Sequence, residues 1–298
     1  MSTPDQSLQL IEILTAEDLP EILRLVERLK WTHVEADLDV MLRVGLFLGM
    51  RDHAGEIIAT GALFPYGEKL ASIGMIMVSP DHRRKGYGKL IMETLHNSEI
   101  AQGRNLSLIA TDEGEPLYKK LDYQVVSRIR KFFADPELVL EKTQDLSLPE
   151  YNLRRVAKRD LPALIQLDAH SIGGSRESLL RLRFEQSDNG VVIEGADGEP
   201  KAFALSCPQR QQRHIGPITA PNRDMALAMI LVLARRDLCE LRIDIPEEHT
   251  DLHELLPNIG FRLIANPPAM LRPDFIGGSD RYPGTRHDYW AITSQAYG

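Results

Sequence analysis

The chain has 298 residues, 43% of them hydrophobic, which is enough for two packed cores, and its length exceeds the usual size of one domain. Its 43 acidic against 35 basic residues leave a formal charge of −8, which repels polyanions at long range and argues against nucleic-acid binding. No apolar run reaches the ~20 residues of a membrane-spanning helix, and the opening MSTPDQSLQ has no charged-then-apolar signal pattern, so a cytoplasmic protein is expected. Cys207 and Cys239 are too few for a disulfide scaffold and lack zinc-site spacing; both are expected as buried free thiols, and no metal is expected.

Residues 8–14 read as a strand, and Thr15 with Asp18 three residues on marks a helix N-terminus with Leu19, Ile22, Leu23 and Val26 as its buried stripe. The polar segment 30–37 carries one large aromatic, Trp31, expected to pack in the core or to lid a pocket. Helical spacing resumes at Val40, Met41 and Val44. Residues 46–50 and 57–63 flank the polar turn Asp52-His53-Ala54-Gly55 and predict an antiparallel hairpin.

The stretch IGMIMVSPDHRRKGYGKLIMETL, residues 73–95, predicts strand, loop and helix. The apolar run ends near Val78, because Pro80 cannot continue a sheet ladder. Tyr87, Leu90, Ile91 and Leu95 then form a helical stripe starting close to Gly86. Between them, Arg83-Arg84-Lys85-Gly86-Tyr87-Gly88 places two glycines and three cations where bare N–H groups converge on a helix N-terminus, an arrangement suited to a pyrophosphate. A Walker loop would need Gly-Lys-Ser/Thr, and a Rossmann fingerprint a third glycine. Downstream, residues 106–110 predict a strand leading through Thr111-Asp112-Glu113-Gly114 into a helix with Leu117, Tyr118 and Leu121.

This order of Val-x-Pro, Arg-x-x-Gly-x-Gly and amphipathic helix resembles the acetyl-CoA-binding motif of the GNAT N-acetyltransferase superfamily, with Arg83, Gly86 and Gly88 in its defined positions. Leu117-Tyr118-Lys119-Lys120-Leu121-Asp122-Tyr123 is similar to that family's Leu-Tyr-x-x-Leu-Gly-Phe element, Asp122 replacing the usual glycine. The resemblance implies that the backbone of Ile76, Met77 and Val78 pairs with pantetheine, that residues from Arg84 through Lys89 wrap the pyrophosphate, and that Tyr118 protonates the departing thiolate. Thr111 stands where the family often has a cofactor-contacting asparagine. Glu68, Asp112 and Glu113 lie near the relevant strand ends but are expected as solvated side chains, which leaves a general base unassigned.

Residues 133–150 show little periodicity and contain Pro136 and Pro149, which sets the expected boundary: domains at 1–145 and 146–298. Asp160-Leu161-Pro162 then repeats Asp18-Leu19-Pro20 at an offset of 142 residues, Ile215-Gly216-Pro217-Ile218 answers Ile73-Gly74-Met75-Ile76, and Ile259-Gly260-Phe261 answers Leu121-Asp122-Tyr123. Two copies of one fold are expected, each a mixed α/β unit with a mostly antiparallel sheet, a splayed parallel strand pair and flanking helices. The second copy is expected to be degenerate, with Met-Ala-Leu-Ala-Met-Ile at 225–230 in place of the cradle and Leu256 near the place of Tyr118. His249 and His253, four apart, are expected on a solvated helix face rather than as metal ligands, and QRQQRH at 209–214 as an exposed loop.

The resemblance thus implies an N-acetyltransferase that moves an acetyl group from acetyl-CoA to a primary amine by direct attack in a ternary complex. A small or amino-acid-like acceptor is favoured because a second domain would crowd the cleft. A CoA-binding sensor without turnover, and an enzyme acting on protein amines, remain as alternatives.

Overall fold

The computed structural model describes residues 11–147, 149–272 and 284–298. The first half runs β1 (Ile11–Ile13), α1 (Leu19–Arg28), α2 (Glu35–Val44), β2 (Leu46–Arg51), β3 (Ile57–Tyr66), β4 (Leu70–Val78), α3 (Tyr87–His96), β5 (Asn105–Ile109), α4 (Glu115–Lys119) and β6 (Gln124–Ala134). α5 (Pro136–Thr143) leads into β7 (Asn152–Arg155), α6 (Leu161–Ile172), α7 (Glu177–Gln186), β8 (Asn189–Glu194), β9 (Pro200–Pro208), β10 (Gln212–Thr219) and α8 (Arg223–Ala234). β11 (Glu240–Pro246), α9 (Thr250–Leu255), β12 (Arg262–Ala265), β13 (Pro268–Arg272) and β14 (Tyr289–Ala291) complete it. Neighbouring strands pair antiparallel except β4 with β5 and β10 with β11, which are parallel, as the expected mixed α/β class requires.

Local chemistry sets the first elements. Thr15 and Asp18 form a reciprocal capping box, in which the Thr15 N–H donates to Asp18 at 2.7 Å and Thr15 Oγ1 accepts from the Glu17 N–H. α1 then buries Ile22, Leu25 and Val26. Of the strand expected at 8–14, residues 8–10 lie outside the described residues. In α3 the buried stripe is Ile91, Met92 and Leu95, whereas Leu90, expected to be buried, is exposed because it falls on the solvent side of the stripe.

The strands run in the order β1-β2-β3-β4-β5-β13-β6-β11-β10-β9-β8-β7, with β12 added to β6 and β14 to β10. Each half therefore lends a strand to the other. β13 inserts between β5 and the start of β6, while the end of β6, Ile129 to Ala134, pairs with β11 and holds β12 on its other edge. Eleven residues let β6 serve both sheets.

One buried ion pair joins the halves: Arg183, 0% exposed on α7, donates to Asp37 of α2 at 3.1 Å. Within the second half, Arg176 donates to Asp168 through Nε and Nη2 at 2.8 Å each and to the Tyr289 hydroxyl, and its guanidinium lies 5.7 Å from the centre of the Tyr66 ring of the first half. Removing one partner of such a pair strands the other in low dielectric, at a cost of ~3–5 kcal/mol.

Several expectations for the second half are corrected. His249 and His253 are buried rather than solvated: His249 stacks on Trp290 with ring centroids 4.0 Å apart, and His253 packs near Phe132. Segment 209–214 is not an exposed loop, because Gln212, Arg213 and His214 are buried in β10 and only Arg210 and Gln211 face solvent. Cys207 is buried as expected, but Cys239 is exposed just before β11.

Candidate active site

β4 pairs with β5 only from Leu70 to Ser72, and beyond that point the two strands separate. The cause is a bulge, since Ala62 faces Gly74 but Thr60 faces Met77, so β4 carries one extra residue. Met75 takes up the excess in a left-handed conformation, φ 54°, and its carbonyl accepts a hydrogen bond from Thr60 Oγ1 at 2.8 Å. The result is a strand segment, Ile76 to Val78, whose far edge lines a cavity of about 590 Å³.

The opposite wall of that cavity is the turn before α3. Arg84 and Gly86 adopt φ values of 61° and 88°, turning the chain so that α3 starts at Tyr87 with its first-turn N–H groups lacking intrahelical partners. A Cβ on Gly86 would meet nothing within 4 Å, and one on Gly88 would make only ordinary contacts, 3.6 Å from Val78 and Leu117. Neither glycine is demanded by protein packing around its hydrogen; Gly86 is demanded by its φ, and Gly88 keeps open space at the helix end. α3 sits close on the sheet because Gly61 of β3 lacks a side chain, and a Cβ there would fall 2.4 Å from Ile91.

The residues expected at the cofactor site converge here. Ile76, Met77, Val78, Arg83, Arg84, Gly86, Tyr87, Gly88, Lys89, Thr111 and Tyr118 all border the 590 Å³ cavity. Lys85 is exposed and outside its lining. Arg83 reaches Glu113 at 3.8 Å. Thr111 is drawn into the turn before α4, its Oγ1 accepting from the Gly114 N–H at 3.2 Å.

Tyr118 lies on α4 and is 7% exposed. Its ring rests on Gly114, where a Cβ would come within 2.8 Å of the ring. Burial raises the phenol above its ordinary value near 10, so it stays protonated at neutral pH. Trp31, Ile76, Thr111 and Tyr118 also line a second cavity, of about 250 Å³, and so form the window between the two. Trp31 combines both expected roles, since it packs partly buried against a core cluster and walls both cavities. Of the three carboxylates considered as bases, Glu68 and Asp112 line neither cavity and Glu113 lines only the larger.

Residues 44–125 and 164–280 each match a family profile described as an acetyltransferase (GNAT) domain. The chain belongs to the GNAT acetyltransferase superfamily. It is also 29% identical over 299 residues to YitH of Bacillus subtilis, described as an uncharacterized N-acetyltransferase, with 100% of both chains covered. A crystal structure from Pyrococcus horikoshii superposes with a TM-score of 0.78 at 20% identity, covering 100% of this chain and 99% of that one. A tandem GNAT protein from the clavulanic acid biosynthesis pathway superposes with a TM-score of 0.65 at 15% identity, covering 88% of this chain and 97% of that one.

In the second half of this tandem GNAT arrangement, the gap that corresponds to the β4–β5 splay is filled. At its splay, between β10 and β11, β14 pairs with β10 through Ile218 opposite Ala291, and the Ile292 N–H donates to the Asp244 carbonyl. Trp290 seals the plug by donating Nε1–H to the Ala220 carbonyl at 2.8 Å. The N-terminus of α8 is closed by its own cap, Asn222 Oδ1 accepting from the Met225 N–H. The chain then continues to the first GNAT domain, where the Ala296 carbonyl lies 2.3 Å from the point a Cβ on Gly74 would occupy. Ser294, Gln295 and Ala296 thereby wall the 250 Å³ cavity, together with Lys131 and Arg242. None of these five was identifiable from the sequence, because strand exchange and the returning C-terminal segment bring them in from afar. The repeat of Gly74 at Gly216 was the one available hint, since a Cβ on Gly216 would fall 2.1 Å from the Ile292 carbonyl.

Proposed function

We propose that this protein is a cytoplasmic N-acetyltransferase that transfers an acetyl group from acetyl-CoA to the primary amine of a small molecule, by direct attack in a ternary complex. The observation that carries this reading is the shared window. The glycine-bearing cationic turn and the open edge of β4 line one cavity, and Tyr118 stands between it and a second, smaller one. We place the division of the chain at residues 1–145 and 146–298, with β6 and β13 exchanged across it.

The first-turn N–H groups of α3, with Arg84 and Lys89, would hold the diphosphate, and the backbone of Ile76 to Val78 would hold the pantetheine arm in the gap left by the splay. Bound acetyl-CoA supplies an activated acyl group as a thioester. The acceptor nitrogen forms the amide bond as the C–S bond breaks. One amine proton leaves to solvent, and Tyr118 gives its own proton to the sulfur and recovers one from solvent. A phenol that burial keeps protonated is suited to that role.

The volume near 250 Å³ lies below the usual range for drug-sized ligands, about 300–1,000 Å³, which favours a compact acceptor over a protein chain. The test is release of free thiol from acetyl-CoA across a panel of small amines, amino acids and amine-bearing peptides. Turnover of small amines above peptides supports the reading; CoA binding without turnover of any amine points to a sensor and rejects it.

A further inference from the structure

The charged side chains that line the smaller cavity are all basic or imidazole: Lys30 at the rim, His33, Lys131 and Arg242. Among the described residues no aspartate or glutamate lines it. Asp244 stands opposite Lys131 in register, but it is 0% exposed and accepts from Arg242 Nε at 3.2 Å and Nη2 at 2.5 Å. Asp37, 3.8 Å from His33 Nδ1, is likewise buried and committed to Arg183. Lys131 lines the cavity with Arg242 acting against its charge and Asp244 in its favour, and the buried Gln295 Nε2 has no hydrogen-bond partner among the described residues. Burial, then the neighbouring Arg242, lower the Lys131 pKa against the opposing pull of Asp244, so its ammonium lacks full compensation.

Such a wall repels a simple alkylammonium ion and leaves donors unsatisfied unless the acceptor itself brings negative charge. We propose, resting on the acetyltransferase reading above, that the acceptor is an amino acid or close analogue, its carboxylate bound by Lys131 with Arg242 and Gln295 beside it. The exchanged strand β6 and β11 of the second GNAT domain thus supply acceptor selectivity to the first. The same cations favour the neutral amine once the acceptor is bound, which helps attack without a carboxylate base lining the cavity.

The experiment pairs each protein amino acid with its carboxamide, which keeps the amine and removes the charge. Thiol release is measured with wild type and Lys131→Met, and binding of the same pairs to CoA-saturated protein is followed by calorimetry. At least one acid is expected to exceed its amide in kcat/KM by about tenfold or more, and Lys131→Met to erase most of that ratio with the CoA affinity unchanged. Equal handling of acids and amides, no binding of any acid to the CoA-loaded protein, or an unaltered ratio in Lys131→Met overturns this inference alone. Failure of CoA to bind at all overturns the acetyltransferase reading and this inference with it.

Discussion

Tyr118 and Leu256 occupy the same point of the two halves. The Tyr118 carbonyl accepts from the Tyr123 N–H at 3.1 Å and the Leu256 carbonyl from the Phe261 N–H at 3.0 Å, in each case across a residue with positive φ, Asp122 or Gly260. The first half keeps a phenol at the window between two cavities, whereas the second has a hydrocarbon packed in a core. Removing the phenol oxygen is therefore the sharpest change available. Tyr118→Phe is expected to lower kcat by ~10²-fold with the KM for acetyl-CoA little altered, as read from steady-state kinetics. Wild-type kcat should not fall between pH 8 and about 10 through loss of this acid, because burial raises its pKa above the ordinary value.

Gly114 sets the position of that ring. In Gly114→Ala the new methyl would lie 2.8 Å from the ring and displace it, so activity is expected to fall with a stability loss of ~1–3 kcal/mol. Chemical denaturation alongside initial rates checks both effects. Full activity in this variant would show that the ring position is not needed.

The plugged second splay sets stoichiometry. Calorimetry is expected to find one CoA per chain, since β14 fills the corresponding gap beside β10. Trp290→Ala removes the stacked and hydrogen-bonded seal and should cost ~3–5 kcal/mol of stability without creating a second site.

His214 predicts how the fold responds to acid. It is 0% exposed and faces Asp244, with Arg242 and Arg183 nearby; burial pushes its pKa down to about 3 from an ordinary 6.5. The unfolded chain binds this proton below pH 6.5 and the folded one does not, so the contribution is complete above that pH and is lost as pH falls towards 3. Stability should fall by up to ~1.4 kcal/mol per pH unit from this group, and His214→Leu should flatten that slope in denaturation series at pH 4 to 7.

The parts of this architecture legible in the sequence are those that local chemistry decides. Arg83, Gly86 and Gly88 announce a helix N-terminus within a few residues, and the Asp-Leu-Pro triplets at 18–20 and 160–162 mark the repeat because each opens a helix. Strand exchange was not legible, since Lys131 faces Asp244 and Ala269 faces Ser127 through pairings that leave no periodic trace near either residue. Burial of His249 and His253 depends on Trp290 and Phe132, which arrive from elsewhere in the chain. A four-residue histidine spacing reads the same on a wet face as in a core. The basic wall of the smaller cavity was hidden for the same reason, as Lys131, Arg242 and Gln295 lie in three separate stretches of sequence.

Gly88→Ala separates a ligand-facing glycine from a structural one. The new methyl makes only 3.6 Å contacts with Val78 and Leu117, and alanine is the better helix former, so the melting temperature should hold or rise slightly. The methyl nevertheless enters the space where a diphosphate would approach the first turn of α3. Calorimetric titration of CoA into wild type and Gly88→Ala is expected to show affinity reduced by about tenfold or more in the folded variant. Equal affinity in the two proteins, or no binding by wild type, would contradict the assignment of this cavity to CoA.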